Sequence, residues 1–238
     1  MGESNKVTSI VLNYNRPENM KRVIDGIRSQ TINSDIWIWD NSGKLEDIEG
    51  CVIIRSQKNF HCLPRLMLMG AVQTDYIWTQ DDDRVLTDKE LFKRMMYVSE
   101  DVGLPIVAYG KLFSHEDTGK KYPEKYWDNA YYTDHDTCNG YWNVGYKDGR
   151  VNVGSTGIMF LNRWCVDNLR LNPYLELTKE EYKYGDDMWL SEKFGGCFVY
   201  KPLFDGIKVI PDNGVGLCHD KEHYPIRNEL CRRYWLEK

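Results

Sequence analysis

The sequence predicts an α/β fold built on a mostly parallel sheet flanked by helices. Three observations carry this. Short β-branched apolar runs alternate with helical patterns through the first hundred residues. Polar, chemistry-bearing residues follow those runs directly. The chain, at 238 residues, is long enough to bury a core on both faces of a sheet.

The elements are taken in order. Val7–Leu12 reads as the first strand. Asn15, Pro17 and Glu18 then resemble a helix start, with Asn15 as the cap, and Met20, Val23, Ile24 and Ile27 follow at helical spacing. Ile36–Trp39 and Cys51–Ile54 are the next strands, Leu63–Val72 a helix and Tyr76–Thr79 a fourth strand. Thr87 with Glu90 suggests a capping box for a helix through Val98, and Ile106–Tyr109 a fifth strand. Residues 114–150 are polar, aromatic and rich in turn formers, and read as a long loop region with a hairpin. Val151–Leu161 returns to strand character, interrupted by Gly154 and Gly157. Asp186–Phe194 suits a short helix, and Cys197–Tyr200 and Ile207–Ile210 late strands. The reading is one domain over 1–238, with a ligand-binding half at 1–110 and a second half at 111–238.

Composition narrows the function. The formal net charge of −5 argues against a general nucleic-acid binder. No apolar run approaches the roughly 20 residues needed to span a bilayer, and no signal-peptide core is visible. Seven cysteines show no metal-finger spacing and read as free thiols of a reducing, cytoplasmic compartment.

Two acidic motifs stand out. Gln80-Asp81-Asp82-Asp83-Arg84 places three carboxylates after an apolar strand. Such a cluster wants a cation, and hard oxygen ligands suit Mn²⁺ or Mg²⁺ shared with phosphate oxygens. The alternative is a solvated turn. Lys183-Tyr184-Gly185-Asp186-Asp187 places adjacent acids at a helix start, where the helix dipole favours them.

The segments VTSIVLNYNRPENM, IWIWDNSG and NFHCLPRLMLMGAVQTDYIWTQDDDRV resemble the GT-A fold, nucleotide-sugar-dependent glycosyltransferases, in particular family 2-type enzymes. The resemblance covers residues 6–110 and reaches more loosely to about 220. It implies a Rossmann-like GT-A domain that takes a nucleotide-sugar donor, with a UDP-sugar expected and GDP- or TDP-sugars as alternatives. Asp81-Asp82-Asp83 matches the family's Asp-x-Asp motif, which makes Asp83 and Asp81 metal ligands and Asp81 and Asp82 donor contacts. Asn13, Tyr14, Asn15 and Arg16 match the nucleoside cradle. Asp40 matches a ribose or base contact, with a turn former as its alternative. Arg65 matches a diphosphate contact, with a surface ion pair as its alternative. Gly157 matches a close-approach turn near the sugars, or else a bulge. Asp187 matches the general base of inverting enzymes, with Asp186 orienting the acceptor. His219 is the candidate third metal ligand, with a surface histidine as its other reading and His223 as the nearby alternative ligand. Gln80 and Asn41 depart from the family's pattern. A carbohydrate or glycan acceptor follows from the activity, as do further domains if the chain is a module of a larger transferase. The competing readings are a sugar-nucleotide pyrophosphorylase, disfavoured because no glycine-rich loop follows the first strand, and a non-catalytic carbohydrate- or nucleotide-binding module. A metal-dependent phosphohydrolase stands further off. The aromatic run from Tyr122 to Tyr146 suits either loop ordering or an acceptor cleft.

Overall fold

The computed structural model describes residues 6–111, 142–143, 148–167, 177–211 and 220–236. In chain order these form β1 (Val7–Asn13), α1 (Pro17–Arg28), β2 (Ser34–Asp40), β3 (Cys51–Arg55), α2 (Leu63–Met69), β4 (Tyr76–Asp81), β5 (Arg84–Leu86) and α3 (Leu91–Val102). The second half contributes β6 (Ile106–Val107), β7 (Gly110–Lys111), β8 (Trp142–Asn143), β9 (Gly149–Val151), β10 (Val153–Gly154), β11 (Ile158–Asn162) and α4 (Arg163–Asp167). Then come α5 (Lys179–Tyr184), α6 (Asp186–Lys193), β12 (Cys197–Val199), α7 (Lys201–Asp205), β13 (Ile207–Val209) and α8 (His223–Cys231), which runs into a π-helical turn, Arg232–Leu236.

The main sheet runs β3-β2-β1-β4-β11-β6-β12-β9. β3, β2, β1 and β4 are mutually parallel, and so are β6 and β12, while β11 and β9 are antiparallel to their neighbours. Every residue of β1 is buried, because the strand is covered on both faces. Alternation divides the apolar side chains between two cores. Val7 and Val11 join Met20, Val23 and Ile24 of α1 and Phe92 and Met95 of α3 on one face. Ile10 joins Leu68 of α2, Met188 and Trp189 of α6 and Leu230 of α8 on the other. This is the layered α/β arrangement expected from the alternating pattern.

Several local expectations are corrected. The first helix begins at Pro17 with Arg16, not Asn15, in the cap position and no side-chain cap bond. Asn15 instead adopts φ +57°, a left-handed conformation that Asn tolerates better than most residues. The Thr87–Glu90 capping box does not form, since α3 starts after Glu90. Asp88 accepts from the Glu90 N–H, and Gln30 of the preceding loop accepts from the Phe92 N–H, so the orphan donors are met from elsewhere. A capping box does form at Thr178 and Glu181, starting α5. The span Val151–Leu161 is not one strand: Gly154 lies within van der Waals reach of Cys197 and Val107, and the chain breaks into β9, β10 and β11 across two sheets. Likewise only Ile106–Val107 of the predicted fifth strand lies in the main sheet. β13 pairs with β5 in a separate ribbon, a pairing the sequence did not announce.

Among the described residues no helix is long and apolar enough to cross a membrane. Cys51, Cys62, Cys165, Cys197 and Cys231 are free thiols, as expected.

Candidate active site

The parallel strands β1, β2 and β4 end side by side: Asn13 is level with Asp40, and Leu12 with Asp81. β11 enters the same edge in the opposite sense, with Ile158 opposite Gln80, so the 155–157 turn lies there too. The start of α6 completes the edge through Arg65. Both acidic motifs therefore meet at the carboxyl end of the sheet, where ligands of such folds bind.

Arg65 is the centre of this edge. It is only 1 % exposed, and its position on α2 aims the guanidinium across the end of the sheet. Nη2 donates to Asp81 Oδ1. Nη1 donates to Asp186 Oδ2 at 2.7 Å and to Thr156 Oγ1 at 2.5 Å. The Thr156 hydroxyl in turn donates a hydrogen bond to Asp186 Oδ2 at 2.9 Å, and its carbonyl accepts from Thr79 Oγ1 at 2.7 Å. Burial works against a charged Arg65, but Asp81 and Asp186 outweigh it and hold the guanidinium protonated well beyond its usual range. Burial raises the Asp186 carboxyl, with Arg65 opposing. Arg65 is thus not a surface ion pair: its fork is engaged by carboxylates from both motifs. Asp186, buried on Arg65 and Thr156, anchors that fork.

The three acids of the triplet divide. Asp82 turns inward, accepting from the Tyr14 N–H at 2.8 Å and Arg16 Nη1 at 2.7 Å. Burial pushes it up to about 6 against those two donors. Arg16 and Asp82 therefore form a buried ion pair beside the Tyr14 backbone. Asp83 pairs with Arg84 at 2.7 Å and faces Arg16 at 3.6 Å, and burial with the neighbouring Asp81 raises it. Asp81 alone is well exposed, at 43 % of its side chain. Its Oδ2 lies where a Cβ on residue 157 would come within 2.3 Å, so Gly157 leaves room around that oxygen. The 155–157 segment is a turn closed by the Ile158 N–H on the Ser155 carbonyl, not a bulge. Gln80 explains its own departure from the family's pattern, accepting from Trp78 Nε1 at 2.8 Å and donating to the Arg84 carbonyl at 2.5 Å.

Asp40 closes a turn after β2. It is fully buried and accepts from Asn13 Nδ2 (2.8 Å), the Ser42 N–H (3.0 Å), Ser42 Oγ (2.6 Å) and the Leu45 N–H (2.8 Å). Burial alone would raise its carboxyl, yet these bonds together hold it below the usual range. It is a turn former. Asn13, oriented by that contact, keeps a buried Oδ1 with no partner among the described residues. Tyr14 is 36 % exposed, and Asn15 is exposed beside it.

Asp187 differs from Asp186 in facing partly outward, with 13 % of its side chain exposed. Its Oδ1 accepts from the Met188 N–H at 2.8 Å and its Oδ2 from Arg227 Nη2 at 2.7 Å. Arg227, on α8, and Thr156 were missed from the sequence. Thr156 precedes Gly157 in the glycine-bounded segment Gly154-Ser155-Thr156-Gly157, whereas Arg227 carries no local signal. His219 lies outside the described residues, and so does the aromatic run apart from Trp142. Among the described residues no group of three His, Cys, Asp or Glu side chains is poised around a metal. The residues do fit a cation in one respect: Asp81 offers an accessible carboxylate oxygen in a space kept open by Gly157.

The architecture is similar to crystal structures of S. aureus TarS. TarS 1-349 in complex with UDP matches with TM-score 0.50 and 11 % identity, over 82 % of this chain and 58 % of that one. The crystal structure of S. aureus TarS gives 0.49 and 13 %, over 82 % and 35 %. TarS 1-349 gives 0.48 and 12 %, over 86 % and 57 %. The first of these likenesses, with the strand order above, shows a GT-A, Rossmann-like α/β fold. The chain spans just over half the length of that TarS 1-349 structure. No protein-family model and no curated protein matches the sequence.

Proposed function

We propose that this chain is a glycosyltransferase that moves a sugar from a nucleoside-diphosphate donor, a UDP-sugar first among them, to an acceptor hydroxyl with inversion. One observation carries the reading. Arg65 ties the carboxylate that ends β4 to the carboxylate that begins α6, so a donor-side acid and an acceptor-side acid share one edge of a GT-A sheet. The likeness to a structure that holds UDP supports the donor class.

The roles follow from what each group has left to give. Asn13 Oδ1 is an acceptor in want of an N–H, which a uracil ring supplies, and the exposed Tyr14 ring offers a stacking face. The diphosphate lies over Asp81 and Gly157. Mn²⁺ or Mg²⁺ would be held by Asp81 and the donor's own phosphate oxygens, in the manner of cations that bind through few carboxylates. Bound there, it supplies positive charge to the departing diphosphate. Asp83, engaged by Arg84 and Arg16, enters the metal site only by giving up those contacts. Asp187 takes the proton of the acceptor hydroxyl as that oxygen bonds to the anomeric carbon. The bond from that carbon to the diphosphate oxygen breaks, and its electron pair leaves with the nucleoside diphosphate. The acceptor is a carbohydrate or glycan, presented by the second half of the chain or by further domains of a longer transferase.

The test is a thermal-shift screen of UDP-, GDP-, TDP- and CMP-sugars with Mn²⁺ or with EDTA. A ligand bound at a hundred times its Kd stabilises by about 2.7 kcal/mol, and the expected result is a rise with UDP-sugars that EDTA removes. No rise with any donor would overturn the reading. Asp187→Asn is expected to abolish transfer while sparing UDP binding, and a retained anomeric configuration in the product would exclude Asp187 as the base.

A further inference from the structure

We propose that Arg227 is the positioning residue for Asp187: α8 serves as a brace that holds the base in its working orientation. The inference rests on the role given to Asp187 above. α8 reaches the acidic corner by close approach. A Cβ on Gly185 would meet Leu230 Cδ1 at 2.1 Å, so glycine between α5 and α6 is what lets α8 seat there. From that seat Arg227, only 4 % exposed, extends its fork to two points of the corner. Nη1 donates to the carbonyl of Tyr184, the last residue of α5, and Nη2 donates to Asp187 Oδ2. One rigid guanidinium thereby fixes both the α5–α6 junction and the carboxylate that follows it. The Met188 N–H holds the other oxygen, so the carboxylate plane is set from both sides.

The neighbouring contacts reinforce the brace. Asp220, just before α8, accepts from Lys183 and from the Tyr184 hydroxyl, each at 2.6 Å. His223 sets its ring edge-on to Tyr184, with centroids 5.8 Å apart. The C-terminal helix is thus tied to the α5–α6 corner at Tyr184, Gly185 and Asp187. The adjacent acids are also separated in their partners, Asp186 going to Arg65 and Asp187 to Arg227. A small displacement of a reacting group costs on the order of a hundredfold in rate, which makes such a brace consequential for turnover rather than for donor affinity.

The experiment measures Mn²⁺-supported hydrolysis of UDP-glucose, UDP-galactose, UDP-N-acetylglucosamine and UDP-N-acetylgalactosamine, with water in place of the acceptor, alongside the Kd for UDP. Arg227→Ala is expected to lower kcat by about 10- to 100-fold with UDP affinity within about twofold of wild type. Arg227→Lys, which keeps the cation without the fork, recovers part of the loss. The decisive readout is the split between turnover and binding, because a residue that acts through Asp187 lowers kcat and leaves the UDP Kd in place. Arg227→Lys, measured alone, serves if Arg227→Ala fails to fold. Wild-type kcat in Arg227→Lys and Arg227→Ala overturns the proposal. So does a loss of UDP affinity that matches the loss of turnover, since that is the mark of a merely structural residue. A wild-type chain that hydrolyses none of the four donors overturns the transferase reading itself, and the proposal with it. That failure is distinct from an active wild type that is indifferent to Arg227.

Discussion

Replacing Arg65 by Met keeps most of the apolar stem of the side chain and removes the cation between the two acidic motifs. The consequence differs for its partners. Asp81 is 43 % exposed, so losing its ion pair costs little, on the order of 0–1 kcal/mol. Asp186 is buried and is left without its counter-charge, a change that costs about 3–5 kcal/mol in comparable sites. The sum is about 4 kcal/mol, equivalent to a fall in Tm of roughly 8–16 °C for a domain of this size. Urea denaturation followed by tryptophan fluorescence reads the loss, since Trp78 and Trp189 are fully buried and Trp189 lies on α6. The deficit should depend on pH with a definite sign. A buried carboxyl with no cation takes up a proton in the folded state that the unfolded chain has already lost, so stability falls as pH rises above the ordinary Asp value of about 3.9. The variant should therefore lie nearer to wild type at acidic pH than at pH 8. Adding Asp186→Asn should restore most of the loss. A deficit below about 1 kcal/mol, or a double variant no more stable than Arg65→Met alone, would refute the assignment of Arg65 as the strut of the site.

Gly157→Ala should leave the unliganded Tm nearly unchanged, because the added methyl meets the end of a half-exposed carboxylate, and should remove the Mn²⁺-dependent stabilisation by UDP; a normal shift in the thermal assay would show that Asp81 does not need that space. His223 is held down to about 4, first by burial and then by Arg227, with Asp187 and Asp220 opposing. A histidine depressed in the folded state contributes stability above its unfolded value of about 6.5 that is lost as pH falls toward the folded one, so His223→Gln should flatten the decline in Tm between pH 6.5 and 4. Asp40→Asn puts an amide NH₂ against the donors that Asp40 now accepts, and should cost about 1–3 kcal/mol by chemical denaturation with the UDP Kd preserved; a selective loss of UDP binding would return Asp40 to the donor pocket.

The first half of the fold was legible because its strands are long enough to state a pattern. β1 and β4 are apolar runs buried on both faces, and α1 carries its core residues at helical spacing. In the second half the strands other than β11 shrink to two or three residues, too few for either period to show, and their pairing depends on contacts distant in sequence. Val153 pairs with Lys111, and Ile207 with Leu86. The cap assignments at Asn15 and Thr87 failed for a related reason. Both motifs were locally sound, but Arg16 is drawn down to Asp82 and the α3 donors are met by Gln30 and Asp88, partners that no local window contains.

The site was legible in its acids and opaque in its cations. Carboxylates announce themselves by clustering, and both clusters fall where a strand ends or a helix begins. What each does is decided by the donor that reaches it. Asp40 and Asp81 both stand at the carboxyl ends of parallel strands. Asp40 became a turn former because Ser42, Leu45 and Asn13 consume its oxygens, whereas Asp81 kept one accessible because residue 157 is glycine. Asp186 and Asp187 are neighbours on one helix, yet Arg65, 121 residues away in sequence, buries the first, and Arg227, 40 residues away, braces the second at the surface. An arginine alone in an amphipathic segment carries no mark of its partner, because a fork that spans two elements is a property of their packing. The division of labour between adjacent acids is therefore written in the placement of α2 and α8.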